Sequence, residues 1–149
     1  MNTENPVSPE LLEAYRQTVY RCEDLPIELT VSALSADADQ LMSDIGVRRI
    51  TVITAWNPES VLLDASDNYA WNQQLRLRIE LLRKPFWEGV NLATDGSWPA
   101  EESFWVADLS SFERDELARE YKQNAVVEIE KGDIAKLVLI EPPSATMDS

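Results

Sequence analysis

The side chains with most chemistry to offer lie in three short stretches: Thr54-Ala55-Trp56-Asn57-Pro58-Glu59-Ser60, Trp98-Pro99-Ala100-Glu101-Glu102-Ser103-Phe104 and Gln123-Asn124-Ala125. The Asn57 amide and Ser60 hydroxyl can each donate and accept hydrogen bonds, so they suit a ligand, although securing the Asn57-Pro58 turn itself is the plainer use. Adjacent carboxylates Glu101 and Glu102 beside Trp98 could hold a metal or, with a raised pKa, serve as a general acid. Successive residues on a strand point to opposite faces, so at most one of this pair faces a given pocket, and the other is solvated or pairs with an arginine. Gln123 and Asn124 add two more amides. Trp56 and Trp98 fall at junctions and read as cleft wall, whereas Trp71 and Trp105 read as packing within a helix and a strand.

Composition narrows the chemistry further. The 149 residues contain no histidine, which removes Ser-His-Asp and Cys-His catalysis, imidazole relays and the commonest zinc sites. The one cysteine, Cys22, cannot form an internal disulfide, and Glu23 and Asp24 beside it disfavour its thiolate, so it reads as a small buried or half-buried side chain. None of the four glycines falls in a phosphate-cradling loop, so nucleotide binding has no support. With 27 acidic against 13 basic side chains the formal charge is −14, which opposes conventional binding to DNA or RNA. No stretch approaches the roughly 20 apolar residues of a membrane span, and MNTENPVSPE has neither a basic start nor an apolar run, so the expected location is cytoplasmic, away from membranes.

These groups need a scaffold, and the pattern supplies one. Ser8-Pro9-Glu10 reads as a helix start, and Leu11, Leu12, Tyr15 and Val19 predict an amphipathic helix over 9–20. Ile27, Leu29 and Val31 alternate like a strand, and a short helix over 37–45 ends at Gly46. The β-branched run over 49–55 predicts a central strand. Ser66 reads as the cap of a helix over 67–84, with Trp71, Leu75, Ile79 and Leu82 as its stripe and Glu80 within reach of Lys84. Strands over 86–93 and 103–107 follow, then a Ser110/Glu113 capping box opening a helix that ends near Lys122. Strands over 125–130 and 134–140 flank Lys131-Gly132-Asp133 as a hairpin. The expectation is a single α+β domain over 1–141, with three to four helices covering a mixed, largely antiparallel sheet of five or six strands, and a disordered tail over 142–149.

AYRQTVY at 14–20, ITAWNPES at 53–60, Asn68, SWPAEESF at 97–104 and QNAVV at 123–127 resemble, in this order, the bacterial domain-of-unknown-function family numbered 3293. The resemblance implies shared motif positions and brings no activity, substrate or cofactor with it. From the residues alone, the first expectation is a binding or interaction module for an unknown small ligand or protein partner, needing no cofactor and no metal. Its shared polar-aromatic cleft would draw on Thr54, Trp56, Asn57, Ser60, Asn68, Trp98, Glu101, Glu102, Gln123 and Asn124. One alternative is a small enzyme using Glu101 or Glu102 as acid/base or metal ligand. Another, prompted by the net charge, is an acidic mimic of nucleic acid that engages a basic protein.

Overall fold

The computed structural model describes residues 8–58, 61–96 and 99–140, so the tail expected over 142–149 lies outside the described residues. Among the described residues four helices, α1 (Pro9–Arg16), α2 (Ala36–Ile45), α3 (Ala65–Leu82) and α4 (Ser111–Glu120), accompany one sheet of seven strands. In chain order these are β1 (Thr18–Cys22), β2 (Glu28–Leu29), β3 (Arg49–Ile53), β4 (Phe86–Ala93), β5 (Glu101–Ala107), β6 (Ala125–Glu130) and β7 (Ala135–Leu139). The order across the sheet is β2-β1-β4-β5-β3-β6-β7, with β3 interior as its β-branched sequence predicts. Every pairing among the described residues is antiparallel, which gives the expected α+β class with its largely antiparallel sheet.

The sheet curls until its edges nearly meet. The Ser32 N–H donates to the Ala135 carbonyl at 2.7 Å, and the Ala135 N–H donates to the Ala33 carbonyl at 2.9 Å, joining the chain after β2 to the start of β7. Strand alternation then sorts side chains into an inside and an outside. Inside, Ile50, Val52, Trp105, Ala107, Val127 and Ile129 pack with Tyr20, Cys22 and the α2 residues Ala38 and Met42. Outside, Ile53, Phe104, Val106 and Val126 pack under Leu75 and Ile79 of α3 and Leu117, Ala118 and Tyr121 around α4. Gly89 allows this curvature at one point: a Cβ there would fall 2.6 Å from the Trp105 indole nitrogen and 2.7 Å from the Arg21 carbonyl.

Several local expectations need correction. The helix predicted over 9–20 stops at Arg16, and Thr18-Val19-Tyr20 continues as β1, paired with β4 from Thr18 opposite Ala93 to Cys22 opposite Gly89. β-branched and aromatic residues at these positions, with a partner strand available, override the helical spacing. The strand read through Ile27 and Val31 shrinks to Glu28–Leu29. α3 is capped by Asp64, whose carboxylate accepts the Asp67 N–H at 2.9 Å, while the Ser66 hydroxyl donates to that same carboxylate. Glu80 pairs with Arg76, and Lys84 instead reaches Glu113, across 2.6 Å, and the Asp108 carbonyl. The α4 capping box and the α2 stop at Gly46, in the left-handed region at φ +76°, follow the sequence reading. No described helix is long and apolar enough to cross a membrane.

Candidate functional site

Where β3 ends, the chain turns through residues 54–57, and two asparagines of α3 hold that turn. Asn72 accepts the Ala55 N–H at 2.9 Å and donates to the Glu102 carbonyl at 3.3 Å. One helical turn earlier, Asn68 accepts the Asn57 N–H at 2.7 Å and donates to the Asn57 side-chain oxygen at 2.8 Å. Both side chains are almost fully buried, and their four-residue spacing puts them on the face of α3 that also carries Leu75 and Ile79. Thr54 locks the other side by donating to the Glu102 carbonyl at 2.5 Å and accepting the Trp56 N–H at 3.0 Å. The turn places Asn57 at φ +49°, a left-handed conformation that asparagine tolerates better than most residues.

The clamp aims Asn57 at β5. Its amide nitrogen donates to a Glu101 carboxylate oxygen at 3.2 Å, and its carbonyl oxygen also accepts the Leu63 N–H at 3.0 Å. From the opposite side, Gln123 donates to the Trp56 carbonyl at 3.3 Å and the Tyr121 carbonyl at 3.2 Å. Gln123, Trp56, Asn57 and Glu101 thus form one hydrogen-bonded rim.

The rim surrounds a cavity of about 590 Å³ at one end of the curled sheet. Its floor is the inner sheet face, with Tyr20, Val52, Asn91 and Val127, and its roof is α1, with Leu11, Ala14 and Tyr15. The Tyr20 hydroxyl donates to the Tyr15 carbonyl at 3.3 Å, tying floor to roof. Burial pushes the Tyr20 phenol well above the ordinary tyrosine range, and neighbouring Tyr15 pushes the same way. At the other end of the sheet, α2 fills the interior with Ala38 and Met42, and Asp39 accepts the Gly132 N–H of the β6–β7 turn at 3.0 Å.

Of the residues singled out from sequence, Thr54, Trp56, Asn57, Glu101 and Gln123 line the cavity. Asn68 does not, and acts behind the rim through Asn57. Ser60 and Trp98 lie outside the described residues. Asn124 also stands off the cavity, and its carbonyl accepts the Ile140 N–H at 2.9 Å. β5 begins at Glu101 rather than at Ser103, so strand alternation separates the two glutamates. Glu102 is exposed on the outer side, where loss of hydration first, and then Glu23 and Glu88, raise its pKa above the usual carboxylate range. Sequence reading left Tyr15, Tyr20 and Asn91 out of the cleft, and Asn72 out of the clamp behind it. Asn72 was visible as a polar residue four places from Asn68 on an otherwise apolar stripe, and Asn91 as a polar residue in the inward set of β4 with Trp87 and Gly89.

With this geometry in view, residues 53–126 match the family described as "Protein of unknown function (DUF3293)". The chain resembles this family. The DUF3293 match runs from the last residue of β3 to the second of β6, narrower than the ordered motifs read from 14–20 to 123–127. It takes in the asparagine clamp, the Asn57–Glu101 contact and Gln123, and it leaves out α1 and β1, which supply the cavity roof and part of its floor. No curated protein and no solved structure matches the chain.

Proposed function

We propose that this chain is a small-molecule-binding domain whose ligand occupies the cavity beneath α1. The observation that carries this reading is the Asn57–Glu101 hydrogen bond on the rim of a space of about 590 Å³, within the size range of ligand pockets. Buried asparagines are an expensive way to hold a loop, since each amide needs partners for both ends. Two of them behind one rim favour a role for the rim beyond packing. The open mouth of a small curled sheet is also a recurrent place for one small ligand.

The test is a thermal-shift screen of metabolites and divalent metals against the wild type and two variants that fill the cavity from different strands, Ala125→Leu and Ala93→Leu. A ligand present at about one hundred times its Kd adds about 2.7 kcal/mol, a shift of several degrees for a chain of this size. The expected result is at least one compound that stabilises the wild type and not the filled variants. Stabilisation that survives both fillings in every case would place binding elsewhere and sink the proposal. Silence across the whole panel would move the reading to a macromolecular partner.

A further inference from the structure

Cationic side chains near the two ends of the curled sheet are placed differently. At the end that α2 fills, Arg48, Arg49, Lys84 and Lys131 gather with Asp108, Glu113 and Glu130, and Arg49 pairs with Glu130 at 2.9 Å. At the cavity end, Glu10, Glu13, Asp95 and Glu101 contribute to the lining, and no described lining residue is Lys or Arg. Glu10, Glu13 and Asp95 are exposed at the mouth, with Glu13 3.8 Å from Arg16, so of these four carboxylates Glu101, half-buried and hydrogen-bonded by Asn57, is the one set into the wall.

The hydrogen-bonding capacity of the cavity leans the same way. Gln123 spends its amide nitrogen on two backbone carbonyls, leaving its own carbonyl oxygen. The Asn91 side-chain oxygen is buried and has no hydrogen-bond partner. The Ser103 hydroxyl and the Trp105 indole N–H are also buried without a partner, but neither residue lines the cavity, so the Asn91 oxygen is the orphaned atom that bears on a ligand there. Buried polar atoms of this kind ask for an explanation, and an N–H donor brought by a ligand satisfies an orphaned carbonyl oxygen. Trp56 and Tyr15 add aromatic walls, which attract cations by their ring faces. The Tyr20 phenol is pushed upward chiefly by burial, then by Tyr15, with a smaller push from Glu101 in the same direction.

Resting on the cavity reading above, the structure assigns the ligand a class: a small organic cation, a protonated amine or guanidinium on an apolar body, with its N–H groups toward Glu101 and Asn91. An anion would be desolvated beside Glu101, at a cost that no Lys or Arg of the described lining repays. A quaternary ammonium would meet the aromatic rings and leave the Asn91 oxygen unpaired.

Matched probes decide the matter. Tyramine, the neutral alcohol tyrosol and the anion 4-hydroxyphenylacetate share one ring and differ in head group, and agmatine offers the guanidinium. Each is titrated calorimetrically into the full chain at about 0.15 M salt, which shortens the reach of surface charge to about 8 Å. Tyramine or agmatine is expected to bind at least tenfold more tightly than tyrosol, with 4-hydroxyphenylacetate weakest. Glu101→Gln, which keeps an oxygen for the Asn57 hydrogen bond, should remove that preference. Asn91→Leu should weaken the amine about tenfold without improving the alcohol, and Ala125→Leu should abolish binding. Equal or tighter binding of the alcohol or the anion, lost on filling with Ala125→Leu, overturns the cation assignment and leaves the cavity reading standing. Amine binding that persists in the filled variant, or no binding of either cationic probe to a folded wild type, also overturns the assignment.

Discussion

The two ends of the sheet are built from the same strands and meet opposite fates. At one end α2, capped by Ser35 and Gly46, buries Ala38 and Met42 completely among Ile50, Ile129 and Trp105. At the other, α1 is only eight residues long, buries no residue fully, and lies over a floor of smaller side chains such as Thr18, Ala93 and Ala125. A close-packed interior makes fold stability, whereas a roofed hollow forgoes that packing and keeps room for something else. The two ends also differ in charge pairing, since the filled end joins basic side chains to acids, as in Arg49–Glu130 and Lys84–Glu113, whereas the described lining of the cavity includes acids and no Lys or Arg.

Truncation is the sharpest way to break this contrast. Met42→Ala should cost about 3 kcal/mol by urea unfolding, because it empties a fully buried site, whereas Leu11→Ala in the roof should cost about 1 kcal/mol or less. Equal losses would mean that the roof is as integral to the fold as α2. Next in size is the clamp. Asn72→Ala strips the buried Ala55 N–H of its acceptor and should destabilise by about 2 kcal/mol. A loss within error of zero would show that the turn over 54–57 keeps its shape without α3.

Two carboxylates sharpen the electrostatic side with opposite signs. Glu113, at the filled end, is held below the ordinary 4.5 first by the Lys84 ammonium and then by the Ser110 N–H. The unfolded chain therefore takes up that proton first as pH falls, so Glu113 stabilises above about pH 4.5 and its contribution disappears as pH drops through its lowered folded value. Glu102, at the open end, is raised above 4.5 chiefly by lost hydration, so its ionisation costs stability as pH rises through its folded value. Unfolding midpoints at pH 7 should accordingly fall slightly for Glu113→Gln and rise slightly for Glu102→Gln, both differences shrinking below about pH 4.5. Shifts of the same sign in both variants would contradict the opposite surroundings of these two carboxylates.

Much of the scaffold was legible because its signals are local. The Ser110/Glu113 box, the Gly46 stop, the 86–93 strand and the Lys131-Gly132-Asp133 connection each depend on a few neighbouring residues. Misreadings arose where the deciding partner was distant. Thr18-Val19-Tyr20 fits a helical stripe until β4 is present to pair with it, and Lys84, beyond the end of α3 at Leu82, reaches Glu113, 29 positions away, rather than Glu80. The candidate site divides along the same line. Glu101 and Glu102 could be assigned to opposite faces from strand geometry alone, but not which of them faces inward.

The sequence by itself determined the α+β class, most element positions, the excess of acid and the exclusion of histidine chemistry, since these follow from composition and from short-range periodicity. Tertiary structure alone decided that Asn57 meets Glu101 across 44 positions, that Asn68 and Asn72 stand behind them, and that one end of the sheet is filled while the other is hollow. Those outcomes depend on sheet register and curvature, which come from all seven strands pairing together and cannot be read from any one of them.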